Sequence, residues 1–313
     1  MNSRIVVLSG QAHHDFAVEV CGELGTPLHP TTFRRFSNDC QYVQIDENCR
    51  EQDVFIIQPF APPVSEAMVD LMLMLDAARG ASARRITAVI PYYAYARSDK
   101  KDAPRISIAA RLFADLLATS GANRVLTMNL HSEQVHGFFS VPVDHLTSMT
   151  VVADHFRQYD LTNAIVVSPD FGNAKYASKF ARLLGLDVAA GSKKRISDDK
   201  VVIDTIVGDV KGKDCIVIDD EIANGGSMME LIERLRDRKA GTVRLSCTHG
   251  LFTKNALERL GSQPDVEEII CTNTMPIGES HPKLKVLSVA PLFAAAIQRI
   301  HDGQSLTDMF PKV

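Results

Sequence analysis

The chain has six cysteines (Cys21, Cys40, Cys49, Cys215, Cys247 and Cys271) but no CxxC pair. That scatter excludes a disulfide framework and the common zinc modules, and fits buried thiols in a reducing compartment. No apolar run approaches the roughly 20 residues that cross a bilayer, and Ile5–Leu8 behind Met-Asn-Ser-Arg is too short and too poorly flanked for a signal peptide. A cytoplasmic location away from membranes is therefore expected. There is no surplus of positive charge either: the formal net charge is −4, which supplies no field for nucleic acid. A phosphate-bearing small ligand stays compatible, because such sites use local amides and a few cations. Low-complexity stretches and linker-like segments are absent as well.

What is there is ordinary for a globular protein, with 45% hydrophobic and 23% charged residues. At 313 residues the chain exceeds one compact core, so two domains are expected. Short Val- and Ile-rich runs bounded by Gly, Pro, Asp or Lys read as strands: 4–8, 54–57, 86–90, 124–127, 164–167, 214–218, 243–247, 268–272 and 284–288. Stretches with helical period lie between them, at 65–79, 108–119, 149–158, 174–184 and 227–238. This alternation predicts an α/β fold of mainly parallel sheets flanked by helices. The rhythm breaks near Val141-Pro142-Val143-Asp144-His145 and restarts at Met149, which puts a domain boundary there, between 1–146 and 147–289. Both halves share the same alternation, a hint of internal duplication.

The sharpest local signal runs from Asp214 to Ser227. An apolar strand leads into Asp219-Asp220, then Ala223-Asn224-Gly225-Gly226-Ser227 and a helix. Carboxylates at the carboxyl edge of a parallel sheet lie where α/β proteins place ligands. Two glycines permit positive φ and close backbone approach, and amides at a helix start cradle anions. Acids for sugar hydroxyls beside amides for a phosphate suit a phosphosugar. The plainer reading is an acidic turn before a capped surface helix. A Walker A loop is ruled out, since its Gly-Lys-Ser/Thr is missing.

This segment resembles the phosphoribosyl-pyrophosphate loop of type I phosphoribosyltransferases, and the rest narrows the likeness to ribose-phosphate pyrophosphokinases. Val54-Phe55-Ile56-Ile57-Gln58, Ile90-Pro91-Tyr92-Tyr93-Ala94-Tyr95-Ala96-Arg97, Ser168-Pro169-Asp170 and Lys285-Val286-Leu287-Ser288-Val289-Ala290-Pro291-Leu292 all resemble that family, and the likeness spans nearly the whole chain. It implies two similar phosphoribosyltransferase-like domains. The first, 1–146, would contact nucleotide and be joined by a C-terminal helix at 290–313; the second, 147–289, would carry the ribose-phosphate loop. The implied reaction moves the β,γ-diphosphoryl group of Mg-ATP to the C1 hydroxyl of ribose 5-phosphate, giving phosphoribosyl pyrophosphate and AMP. By resemblance, His131 and Asp170 contact Mg2+, and Lys193 and Arg195 belong to a mobile catalytic loop. Asp219 and Asp220 hold ribose hydroxyls, and 223–227 cradle the 5-phosphate. Phe36, Asn38, Cys40, Arg97 and Ser98 fall in the nucleotide site. Arg50, Ser82, Arg105, Ser305, Thr307 and Phe310 match a regulatory site for inorganic phosphate or ADP between subunits, which implies a homo-oligomer, a hexamer.

Several positions depart from the family pattern. The loop that usually reads Asp-Asp-x-Ile-Asp-Thr-Gly-Gly-Thr has Ala223 and Asn224 in place of Asp and Thr. The base-contacting Phe-Ser-Asp-Gly-Glu is Phe36-Ser37-Asn38-Asp39-Cys40, and Ser98 follows Arg97 where Gln is usual. Asn129 and Ser192 each stand where Asp is usual. Absent acceptors weaken rejection of other bases, so another nucleoside triphosphate is admitted as donor. The retained His131, Asp170, Lys193 and Arg195 favour an active enzyme. The substitutions favour the alternative, a catalytically impaired regulatory paralogue that assembles with an active synthetase. A phosphoribosyltransferase acting on a base fits the loop but not the remainder of the chain.

Overall fold

The computed structural model describes residues 3–197 and 200–311, without the side chains of 193–197 and 200–204. The chain divides into two compact units: one comprises the residues through Thr147 with Thr274–Pro276 and Val289–Phe310, the other mainly Ser148–Asn273 and Ile277–Ser288.

In the first unit the elements are β1 (Ile5–Ser9), α1 (His14–Leu24), β2 (Leu28–His29), β3 (Thr31–Arg35), β4 (Gln41–Ile45), β5 (Asp53–Ile57), α2 (Val64–Gly80), β6 (Arg85–Ile90), α3 (Ala109–Ser120), β7 (Arg124–Met128) and β8 (Val143–Leu146). The second unit follows with α4 (Met149–Phe156), β9 (Ala164–Ser168), α5 (Ala174–Leu184), β10 (Val188–Ser197), β11 (Lys200–Val207), β12 (Asp214–Ile222), α6 (Gly226–Asp237), β13 (Val243–Gly250), α7 (Ala256–Gly261), β14 (Val266–Thr272) and β15 (Leu284–Leu287). Finally α8 (Ala290–Asp302) returns to the first unit.

The first sheet has the order β2-β1-β5-β6-β7-β8, with every pairing parallel. All five residues of β5 are buried, as expected of a strand covered on both faces. Alternate residues Val54 and Ile56 pack with Leu71, Met74 and Leu75 of α2, whose i, i+3, i+4 spacing presents one apolar face. Phe16 of α1 meets Phe293 of α8 edge-on, ring centroids 5.4 Å apart, within the same unit. The second sheet runs β11-β10-β9-β12-β13-β14-β15, and only the β10–β11 pair is antiparallel. In β12, Cys215 and Val217 join one core and Ile216 and Ile218 the other. Period-2 alternation thus feeds both faces of a buried strand.

Ignoring the added β3–β4 hairpin and β11, the two sheets have the same strand order and the same order along the chain, which is what an internal duplication produces. Three local expectations are corrected. The break in rhythm at 141–145 is a strand, β8, paired parallel to β7 with Val125 opposite Val143. It is the sheet's edge, so Asp144 and His145 interrupt its apolar pattern. Lys193 and Arg195, expected in a loop, lie on β10 opposite Ile203 and Val201 of β11, and their side chains fall outside the described residues. The acidic pair does not end its strand, because β12 continues through Ile222, with Asp219 opposite Cys247 and Glu221 opposite His249. No helix among the described residues is long and apolar enough to cross a membrane.

Candidate active site

The carboxyl edge of the second sheet carries the densest chemistry. Asp219 and Asp220 sit in the second half of β12 and are half-buried. Asp219 Oδ1 accepts the Asp220 amide at 2.9 Å and the Asn173 side-chain amide at 3.1 Å. Burial first, then repulsion from Asp220 and from Asp170, pushes the Asp219 carboxyl well above its usual range. Asp170 follows β9 in the loop to α5, and its Oδ1 accepts the Asn173 backbone N–H at 3.0 Å.

After β12 the chain turns through Ala223 and Asn224 to Gly225, which has φ 71° and immediately precedes α6. That left-handed conformation suits glycine, and a Cβ there would also press on Ala256 and Leu260 at 3.3 Å. Gly226 and Ser227 open the helix, placing amides at its positive end. Asn224 Oδ1 already takes the Gly226 N–H at 3.0 Å, and its carbonyl takes Arg259 Nη1 at 3.3 Å. The Asn found in place of Thr therefore shapes the turn while competing for one amide of the cradle. Ala223 is half-buried, and its carbonyl accepts the Thr253 amide at 2.9 Å.

The first unit holds the other candidates. Phe36, Asn38 and Cys40 form the tip of the β3–β4 hairpin. Phe36 is 54% exposed and packs edge-on against Tyr42. Asn38 Oδ1 accepts the Cys40 amide at 3.2 Å, and Cys40 is exposed. At the tip, Asp39 has φ 67° where the family uses Gly, and its carboxylate accepts Arg35 Nη1 at 2.7 Å. Arg35 also pairs with Glu66 of α2, tying the hairpin to the unit's body. Exposed Arg97 ends the 3-10 turn Ala94–Arg97, and Ser98 follows it with its carbonyl on the Ala110 amide at 3.2 Å. His131 is exposed just past β7, where Asn129 has φ 40° and His145 Nε2 accepts the Leu130 amide at 2.8 Å.

The six candidate regulatory residues fall in this unit as well. Glu51, directly after exposed Arg50, donates its amide to the Ser82 carbonyl at 2.9 Å, so those two segments are adjacent. Arg105 is exposed with φ 63°. Ser305 and Thr307 share a hydroxyl hydrogen bond of 2.9 Å ahead of half-buried Phe310. Among the described residues no hydrogen bond or ion pair joins Arg50, Ser82 or Arg105 to that tail.

Among the described residues no group of three or more His, Cys, Asp or Glu is arranged to hold a metal ion by itself. Mg2+ does not need such a cage, since it is commonly held by one or two carboxylates together with substrate phosphates. Mutual repulsion among Asp219, Asp220 and Asp170 is the electrostatic setting that a hard divalent cation relieves, so the residues fit the group.

Two features were not read from the sequence. Asn173 stands just before α5, a position where Asn is common, so nothing in the sequence marks it out. Arg35 and Glu66 are 31 positions apart, and nothing local links them.

Two mainly parallel sheets of one strand order, the second with an acid pair beside a glycine turn at a helix start, define an α/β protein with an anion-binding edge. Residues 5–121 match the family model for the N-terminal domain of ribose phosphate pyrophosphokinase, and 194–311 match the phosphoribosyl synthetase-associated domain. A Streptomyces coelicolor protein named "Putative ribose-phosphate pyrophosphokinase" is 60% identical over 98% of this chain and 97% of its own. The ribose-phosphate pyrophosphokinase of Deinococcus radiodurans is 48% identical over 99% and 100%. The crystal structure of phosphoribosylpyrophosphate synthetase from Mycobacterium smegmatis superposes with TM-score 0.91 at 38% identity, covering 96% of this chain and 100% of that one. The chain belongs to the ribose-phosphate pyrophosphokinase family.

Proposed function

We propose that the chain transfers the β,γ-diphosphoryl group of ATP to the C1 hydroxyl of ribose 5-phosphate. The C1 oxygen attacks the β-phosphorus, the bond from that phosphorus to the bridging α,β-oxygen breaks, and AMP leaves while the hydroxyl proton is released. The observation that carries this reading is the junction of β12 and α6, where two carboxylates stand beside a positive-φ glycine and a helix amino end. Carboxylates accept hydrogen bonds from sugar hydroxyls, and helix-start amides bind a phosphate whatever side chains surround them. Asp219 and Asp220 hold the ribose, and 223–227 hold its phosphate. The acceptor is thus fixed before the donor reacts, which is where positioning lowers the barrier to phosphoryl transfer.

The hairpin tip at Phe36 stacks the base, and Arg97 gives a planar guanidinium to the polyphosphate. The first unit is accordingly the nucleotide domain and the second the ribose domain. Lys193 and Arg195 neutralise charge on the transferring group. Asp170 in the second unit would contact Mg2+, and His131 in the first is carried over as a Mg2+ contact by the family resemblance; the ion when bound screens phosphate charge. The protein works in the cytoplasm as a homo-oligomer, a hexamer, with Arg50, Ser82, Arg105, Ser305, Thr307 and Phe310 answering inorganic phosphate or ADP.

The test is formation of AMP and phosphoribosyl pyrophosphate from ribose 5-phosphate with magnesium, comparing ATP, GTP, ITP and CTP with and without inorganic phosphate. Turnover with ATP is expected. A folded sample inert with every donor would overturn the reading in favour of the impaired paralogue.

A further inference from the structure

We propose that Asn173 is a positioning residue that fixes the ribose-holding carboxylate of Asp219 and couples it to the Asp170 loop. The inference rests on the reading of Asp219 as a ribose ligand. Asn173 occupies the position just before α5, where an Asn side chain normally turns back to cap the helix amides. Here it makes no such cap. Its Nδ2 instead crosses to β12, donating to the Ile218 carbonyl at 3.1 Å and to Asp219 Oδ1 at 3.1 Å. Both partners are acceptors, so the amide nitrogen must face them and the orientation of the side chain is not ambiguous. The backbone N–H of the same residue donates to Asp170 Oδ1 at 3.0 Å.

One residue therefore reaches both carboxylates with separate groups. With the Asp220 amide, Asn173 supplies two donors to Asp219 Oδ1. A carboxylate held at one oxygen is fixed in rotamer and presents the other in a set direction. That is the preorganisation a sugar-hydroxyl acceptor needs. The residue thus lies against the carboxylates of Asp219 and Asp170, with Asp220 next along the strand. A neutral amide suits this place, whereas another carboxylate would not.

Asn173→Asp separates positioning from helix structure. Aspartate caps helices as well as asparagine does and is favoured near the positive helix end, so a purely structural role predicts a protein at least as stable and as active. Positioning predicts the reverse, because the variant replaces a donor to Asp219 with a fourth negative group. Loss of a hydrogen bond to a charged partner then raises the KM for ribose 5-phosphate about tenfold or more with the KM for ATP little changed, while the thermal midpoint falls because the Ile218 carbonyl loses its donor as well. Calorimetric titration of ribose 5-phosphate without nucleotide should show the same weakening. Asn173→Ser, also a good cap but too short to reach both acceptors, is the second variant, and a severalfold rise is expected.

If Asn173→Asp stays within about twofold of wild type in KM and kcat, the inference is overturned. Should Asn173→Asp not fold, an unchanged Asn173→Ser overturns it equally. Asp219→Asn tells the two levels apart. If it binds ribose 5-phosphate normally, the assignment of Asp219 fails and takes this inference with it. If it loses binding while both Asn173 variants keep theirs, only the role of Asn173 fails.

Discussion

Asp53 is an acid that the chemistry does not use, and it pins the end of the chain to the first sheet. It starts β5 at 1% exposure and accepts Arg85 Nε at 2.8 Å, Arg85 Nη2, and His301 Nδ1 at 2.7 Å from the last turn of α8. Burial alone would raise its pKa, but hydrogen bonds from Arg85 and then His301 outweigh that and lower it. Asp53→Asn keeps the shape and removes the charge. Breaking a buried ion pair costs about 3–5 kcal/mol. Arg85 is 42% exposed and keeps its bonds to the Ile300 and His301 carbonyls, so its stranded charge is partly rehydrated and still partnered. The expected cost is therefore about 2–3 kcal/mol.

That cost falls on the attachment of α8, so it is best read locally, where amide hydrogen exchange reports opening. At about 1.4 kcal/mol per tenfold, the α8 amides should exchange roughly 30- to 150-fold faster in the variant. Because the folded pKa is lowered, the stabilisation is full above the ordinary aspartate value near 4 and is lost as pH falls through the folded value. The gap between wild type and variant should hold from about pH 7 to 5 and close in more acidic solution. An α8 that exchanges less than about threefold faster at pH 7, or a gap that widens on acidification, would refute the reasoning.

Three more predictions concern the site. Gly225→Ala forces a Cβ into a left-handed turn, 3.3 Å from Ala256 and Leu260; a cost of about 1–2 kcal/mol in thermal unfolding and a raised KM for ribose 5-phosphate are expected. Phe36→Ala should raise the KM of all nucleoside triphosphates alike by removing the stacking ring, whereas the Asn38→Asp, Cys40→Glu pair should sharpen the preference for ATP over GTP and ITP in parallel assays.

Legibility from sequence followed the range of the interactions. Val- and Ile-rich runs such as Ile86–Ile90 and the helical period of Ala174–Leu184 were plain, because burial on one face repeats within a few residues. The Asp219–Ser227 motif was equally visible, since acid pair, glycine turn and helix start lie within nine consecutive positions. The hairpin of Thr31–Arg35 and Gln41–Ile45 escaped notice because it stands outside the main sheet and none of its described residues is fully buried.

By itself, then, the sequence determined the α/β class, the family, and the acid pair, glycine turn and helix start of the 219–227 segment. Each of these rests on contiguous residues. Only the tertiary structure decided that β8 completes an edge, that both sheets share one strand order, and that Asn173 turns from its helix to Asp219, 46 residues on. It alone joined His301 to Asp53 across 248 positions. Such pairings leave no periodic trace, because they join groups on segments that meet only when the chain has folded, where each hydrogen bond offsets the cost of taking a polar group out of water.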